Sequence, residues 1–124
     1  MKKELNSPKA PGAIGPYSQA IQTGNLIFVS GQLPINAETG EMPADIKAQT
    51  RQSIENIKAI LAEAGATLDN VVKSTCFLAD MSLFGAMNEV YGEEFHKTFP
   101  ARCAFAVKEL PKQALVEIEV IAAI

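Results

Sequence analysis

Histidine is almost missing: His96 is the only one among 124 residues. That sets aside a Ser-His-Asp triad, a Cys-His dyad and a His-ligated metal centre. His96 itself lies late in Glu93-Glu94-Phe95-His96-Lys97. A cation there suits the negative end of a helix dipole. Cysteine is also scarce. Cys76 and Cys103 each sit in an apolar run, and no CxxC pair is present. This is the usage of a reduced, intracellular protein, not of a disulfide framework. Charged residues make up 20%, and no Lys/Arg run occurs beyond Lys2-Lys3. With a net charge of −3 and a pI of about 5.1, nothing steers the chain toward nucleic acid. No apolar run approaches the roughly 18 residues that span a bilayer. The lysines at the start are followed by no apolar signal region, so a cytoplasmic location without membrane contact is expected. Gly12-Ala13-Ile14-Gly15-Pro16 lacks the lysine and following helix of a phosphate loop. Internal repeats and low-complexity tracts are absent.

What is present is a core. Hydrophobic residues reach 48%, enough for one domain over residues 1–124. A charge-poor small domain has much surface to hide, which favours oligomerisation.

The chain reads as a series of short elements. A strand at 2–5 precedes an irregular segment crowded by Pro8, Pro11, Gly12, Gly15 and Pro16. Strands at 17–22 and 26–30 flank Gly24-Asn25, a hairpin signal. A polar loop runs from Pro34 to Pro43. Thr50, Ile54, Ile57, Leu61 and Ala64 draw one apolar stripe, predicting a helix over 45–64. Asp45 suits its N-terminus and Gly65 its end. A β-branched strand follows at 71–78. Asp80 or Ser82 can cap a second helix reaching Lys97, with Phe84, Met87, Tyr91 and Phe95 inward. Strands at 101–107 and 115–121 complete the order. Helices separated by strands argue for an α+β sheet with both helices on one face. In the last strand Val116, Ile118 and Val120 form an apolar side for the helices. The opposite side mixes Glu117 and Glu119 with apolar residues, a plausible subunit interface.

Candidate chemistry concentrates near the strands. Arg102 follows Pro100 and opens a strand that is apolar from Cys103 to Val107. A guanidinium leaves water only to meet an anion, and its planar fork fits a carboxylate or phosphate. It is either an ion-pair partner or an anion site. Glu117 or Glu119, in an apolar strand, is either salt-bridged or raised in pKa and available for proton transfer. Asn88 falls on or beside the second helix's buried stripe and ties down a loop or touches a ligand. Gly31, between Ser30 and Gln32, ends a strand and permits a close approach. Tyr17 opens the first hairpin strand. Cys103 has no histidine to activate it.

Together these residues resemble the RidA/YjgF family, the 2-iminobutanoate/2-iminopropanoate deaminases. The resemblance runs through 13–20 (Ala-Ile-Gly-Pro-Tyr-Ser-Gln-Ala), 29–34 (Val-Ser-Gly-Gln-Leu-Pro) and 49–56 (Gln-Thr-Arg-Gln-Ser-Ile-Glu-Asn). It continues through 87–91 (Met-Asn-Glu-Val-Tyr), Pro100-Ala101-Arg102 and 116–122 (Val-Glu-Ile-Glu-Val-Ile-Ala). It implies a chorismate-mutase-like α+β fold, a six-stranded mixed sheet with two helices on one face. It also implies a barrel-like homotrimer with ligand clefts between subunits. The implied activity is hydrolysis of enamine/imine acids released by pyridoxal-phosphate enzymes, giving 2-oxo acids and ammonia without metal or organic cofactor. By position, Arg102 would hold the substrate carboxylate, and Glu117 would position water and assist proton transfer. Tyr17, Ser30, Gly31 and Asn88 would line the pocket, and the Cys103 backbone would touch the substrate. Many members carry serine after the arginine; here Cys103-Ala104 stands instead, which a backbone contact tolerates. The alternative reading is a non-catalytic trimer that binds small carboxylates.

Overall fold

A computed structural model describes residues 1–124. The polypeptide forms one six-stranded mixed sheet with two helices on one face. The strands are β1 (Lys2–Leu5), β2 (Ala20–Thr23), β3 (Leu26–Gln32), β4 (Val71–Leu78), β5 (Ala101–Ala106) and β6 (Val116–Ala123). The helices are α1 (Ile46–Ala62) and α2 (Phe84–Glu94). Sheet order is β1-β2-β3-β6-β4-β5, so the last strand slots between the middle two. Only β4 and β5 run parallel, as the α2 crossover between them requires.

Local chemistry explains the boundaries. Gly24 turns the β2–β3 hairpin with φ of 57°, a conformation glycine adopts without penalty. The Asp45 carboxylate accepts from the Ala48 N–H at 2.9 Å and starts α1. Gly65, at φ 71°, turns the chain away just after its end. The stripe expected on α1 is buried at Thr50, Ile54, Ile57 and Leu61, joined by Ile60. These pack against Ile27, Val29, Val116, Ile118 and Val120 of the sheet.

Some boundaries differ from expectation. The hairpin's first strand begins at Ala20, so Tyr17 belongs to the preceding loop. The buried Gln19 side chain holds that loop: its carboxamide donates to Pro11 O at 2.9 Å and accepts from Ser7 N–H at 2.7 Å. Asp80 does cap, but it caps a single 3₁₀ turn at Met81–Leu83, after which α2 begins. That helix ends at Glu94, because Phe95 leaves helical geometry to bury its ring on Tyr91. His96 is thus outside α2 and exposed.

Strand β6 alternates as anticipated. Val116, Ile118, Val120 and Ala122 are buried under the helices, while Glu117, Glu119, Ile121 and Ala123 face the open side. Phe28, Phe77 and Phe105 occupy that same open face, with Phe77 and Phe105 in edge-to-face contact at 5.6 Å.

Candidate active site

Two groups of predicted site residues assemble, on opposite faces of the sheet. The first centres on Arg102, the second residue of β5. Its register partner on β4 is Ser74, which is buried on the helix side. Arg102 therefore points toward α2. Its guanidinium carbon lies 4.7 Å from the Tyr91 ring centre and 5.4 Å from that of Phe84. Cation–π attraction and a bond of 2.7 Å to Asn88 Oδ1 hold the fork in place. Tyr91 is itself fixed, because its hydroxyl shares a 2.6 Å hydrogen bond with buried Ser74. No carboxylate lies within ion-pair distance of Arg102. A small cleft bounded by Asn88, Tyr91, Phe99 and Arg102 opens beside it. Of the two positions open to Asn88, on or beside the buried stripe of α2, it takes the second: it sits on the exposed flank, where it can reach a strand-edge arginine.

The second group surrounds Glu117. Strand β3 carries a bulge: Val29 pairs with Val120 and Gln32 with Ile118, so Ser30 and Gly31 together oppose one residue, Glu119. The Glu117 side chain lies over Gly31. A Cβ at position 31 would sit 2.9 Å from its carboxyl carbon. Only glycine leaves that space free. Burial pushes the Glu117 pKa up, and the Glu119 charge adds to the shift. No cation pairs with Glu117. Ser30 Oγ donates to Ser18 O at 2.6 Å, tying the bulge to the 11–19 loop. Tyr17, half exposed, borders one groove with Ser30 and Glu119 and a second cavity with Gly31.

Cys103 is next to Arg102 in sequence but on the other face, exposed among the open-side residues. Cys76 is buried under the helices. Desolvation pushes its thiol up to about 11 against the opposing pull of Arg102, so it is a neutral core residue. No three His, Cys, Asp or Glu side chains converge as a ligand set.

Several supporting residues escaped sequence reasoning. Phe84 and Tyr91 read as core, and their stripe spacing did not reveal a platform for Arg102. Gln49 accepts from Leu115 N–H at 2.8 Å, and Asn56 donates to Leu33 O and Ile35 O at 3.1 and 2.9 Å. Both are buried amides in an amphipathic helix. Buried amides must find partners, and that is the one signal the sequence held for them.

Comparison with known proteins adds to this geometry. The family model described as endoribonuclease L-PSP (Ribonuc_L-PSP) matches residues 7–124. A RutC family protein of Pyrococcus abyssi is 57% identical over 98% of this chain and 96% of its own. The 2-iminobutanoate/2-iminopropanoate deaminase of Escherichia coli is 46% identical, covering 98% of each chain. The crystal structure of Escherichia coli TdcF with bound serine superposes with a TM-score of 0.94, at 43% identity over 98% of each chain. RidA from a Psychrobacter species superposes with a TM-score of 0.95, at 45% identity over 98% of this chain and 99% of that one.

Proposed function

The chain belongs to the Ribonuc_L-PSP (RutC/YjgF) family, and from that premise we propose that it hydrolyses small 2-imino acids to 2-oxo acids and ammonia. The observation that carries this reading is a pair of unneutralised opposite charges. Arg102 is oriented yet unpaired, and Glu117 is half-buried yet unpaired. A small anionic substrate needs the first, and activation of water needs the second.

The reaction asks for little else. Arg102 grips the substrate carboxylate through its fork of donors, which fixes the imine carbon. Water adds to that carbon as Glu117 takes its proton. The proton then passes to nitrogen, the carbon–nitrogen bond breaks, and ammonia leaves as the carbonyl forms. Such general base assistance is worth about 10²–10⁴-fold. A carboxylate raised by burial is a stronger base than an ordinary one, which suits it to this step. Asn88 holds Arg102, Gly31 gives room to Glu117, and Ser30 anchors the bulge. Tyr17 and the backbone at Cys103 line the substrate. No step draws on a cofactor.

Arg102 and Glu117 face opposite sides of one sheet, with β4 between their strands. One substrate meets both only when Arg102 comes from one copy and Glu117 from another. A homotrimer with shared clefts meets that demand. The nuclease named in the family description is less well served: the net charge is −3, and the sole histidine stands alone beyond α2.

The test is complementation. Arg102→Ala and Glu117→Gln should each abolish ammonia release from freshly generated 2-iminobutanoate while remaining folded. Mixing the two variants and allowing subunits to exchange should restore roughly a quarter of the wild-type rate in a trimer, since only some sites recover both residues. Wild-type turnover by either single variant would remove that residue from the mechanism. Inactive variants that never complement would place the site within one copy. A wild-type protein that binds 2-oxobutanoate but adds nothing to the spontaneous rate would be the carboxylate-binding module instead.

A further inference from the structure

A cavity beside the Glu117 group shares Tyr17 and Gly31 with it, and no step above uses its interior. Its volume is about 250 Å³. It runs from Tyr17 and Gly31 beneath the 11–19 loop to Leu33 and Ile35, and its wall is mainly apolar. One charged side chain lines it, Lys112 from the β5–β6 loop. No acidic residue does, and Lys112 has no ion-pair partner anywhere in the chain.

The backbone around Lys112 is strained. Lys112 and Gln113 are consecutive non-glycine residues in the left-handed region, at φ of 57° and 59°. Such a residue is strained and persists only where its surroundings hold it. They do: Ala114 N–H donates to Pro111 O at 3.2 Å, and Leu115 N–H donates to Gln49 Oε1 at 2.8 Å. A strained turn anchored to a buried glutamine thus presents one unpaired ammonium at the rim of an apolar cavity.

We propose that this cavity receives the substrate's side chain and that Lys112 recognises a second carboxylate at its far end. The favoured class is then 2-imino diacids with a short apolar stem. The inference rests on the deaminase reading, because it sets the imine carbon beside Glu117, and Gly31, which the Glu117 carboxylate lies against, is also part of the cavity wall. From there Gly31 leads the side chain into the cavity, toward Lys112. The stem occupies the apolar wall, and the distal carboxylate pairs with an amine that has no competitor. Lys112 is exposed, so its pairing is a selectivity element of modest size, not an anchor.

Two readouts test this. The first is the ratio of kcat/KM for a five-carbon imino diacid to that for 2-iminobutanoate, both generated in situ. The second is binding of 2-oxoglutarate and 2-oxobutanoate by calorimetry, which needs no turnover. Lys112→Gln should lower both selectivity ratios about fivefold, Lys112→Glu should lower them further, and Lys112→Arg should recover most of the loss. Ratios that stay unchanged in Lys112→Gln and Lys112→Glu, or a wild type that binds no 2-oxoglutarate, would overturn the proposal while Arg102 and Glu117 keep their roles. Absence of imine turnover with 2-oxoglutarate binding still dependent on Lys112 would instead defeat the deaminase reading and leave a diacid-binding pocket.

Discussion

Glu117 is where function and stability oppose each other. Its pKa is raised by burial first and by Glu119 second. The folded protein therefore holds this proton to a higher pH than the unfolded chain does. Between the unfolded value, about 4.3, and the raised folded value, the native state binds more protons, so stability falls as pH rises. Above the folded value the full cost remains. Glu117→Gln removes that cost. It should melt at a higher temperature than wild type at neutral pH, with the gap closing at about pH 4 and below. Thermal unfolding across that range checks this, and a variant less stable at pH 7 would contradict it. Gly31 belongs with this residue. Its lack of a side chain is what lets a carboxylate lie against the β3 bulge. Both were visible in the sequence as a glutamate in an apolar strand and a glycine at a strand end. Their contact was not, because it depends on the antiparallel register of β3 on β6.

At the scale of elements, α2 works as a bracket. One flank packs Met87 and Val90 into the core, while Tyr91 faces both the core and Arg102. The helix is short and has no side-chain cap of its own at Leu83. Its alignment on the sheet therefore depends strongly on specific contacts, and the Ser74–Tyr91 hydrogen bond is the buried polar one. Tyr91→Phe keeps the ring beneath Arg102 but leaves the Ser74 hydroxyl unpaired in a buried setting. The expected loss is about 1–3 kcal/mol, measured by denaturant unfolding, with 2-oxobutanoate binding retained. A loss below a few tenths of a kcal/mol would show that Ser74 finds another partner. The helical spacing that identified this stripe is a sound guide to burial. It carries no information about what stands on the far side of a buried ring, and so Arg102's platform was hidden.

At the scale of the whole molecule, the open face of the sheet is the unfinished part. Phe28 and Phe105 are 42% and 44% exposed there, beside Phe77, Ile121 and the two glutamates. So much aromatic surface is costly to leave in water. We expect copies to associate through it and bring one copy's Arg102 toward another's Glu117. Phe105→Lys should shift sedimentation toward the monomer and lower turnover with it, while leaving circular dichroism unchanged. A variant that still sediments like wild type would move the interface elsewhere. Six ion-paired contacts join side chains that are exposed except for the part-buried Glu94, several of them between α1 and α2. Such pairs are worth little individually and do not bear on the open face.

Periodicity and turn chemistry by themselves determined the elements, their faces and the helix layer, since burial acts locally on alternating or 3.6-residue patterns. Arg102 and the pair Glu117 and Glu119 were likewise legible as charges placed among apolar neighbours, and the family resemblance, not the pattern, singled out Glu117. Tertiary structure alone decided how they group. The insertion of β6 between β3 and β4 set Glu117 over Gly31. One step of strand alternation turned Arg102 toward α2 and Cys103 away from it. The strained turn that carries Lys112 to a cavity rim has no signature in a Pro-Lys-Gln sequence. Each of these is a relation between segments distant in the chain. Only the register of the assembled sheet, fixed by the burial of one whole face, determines it.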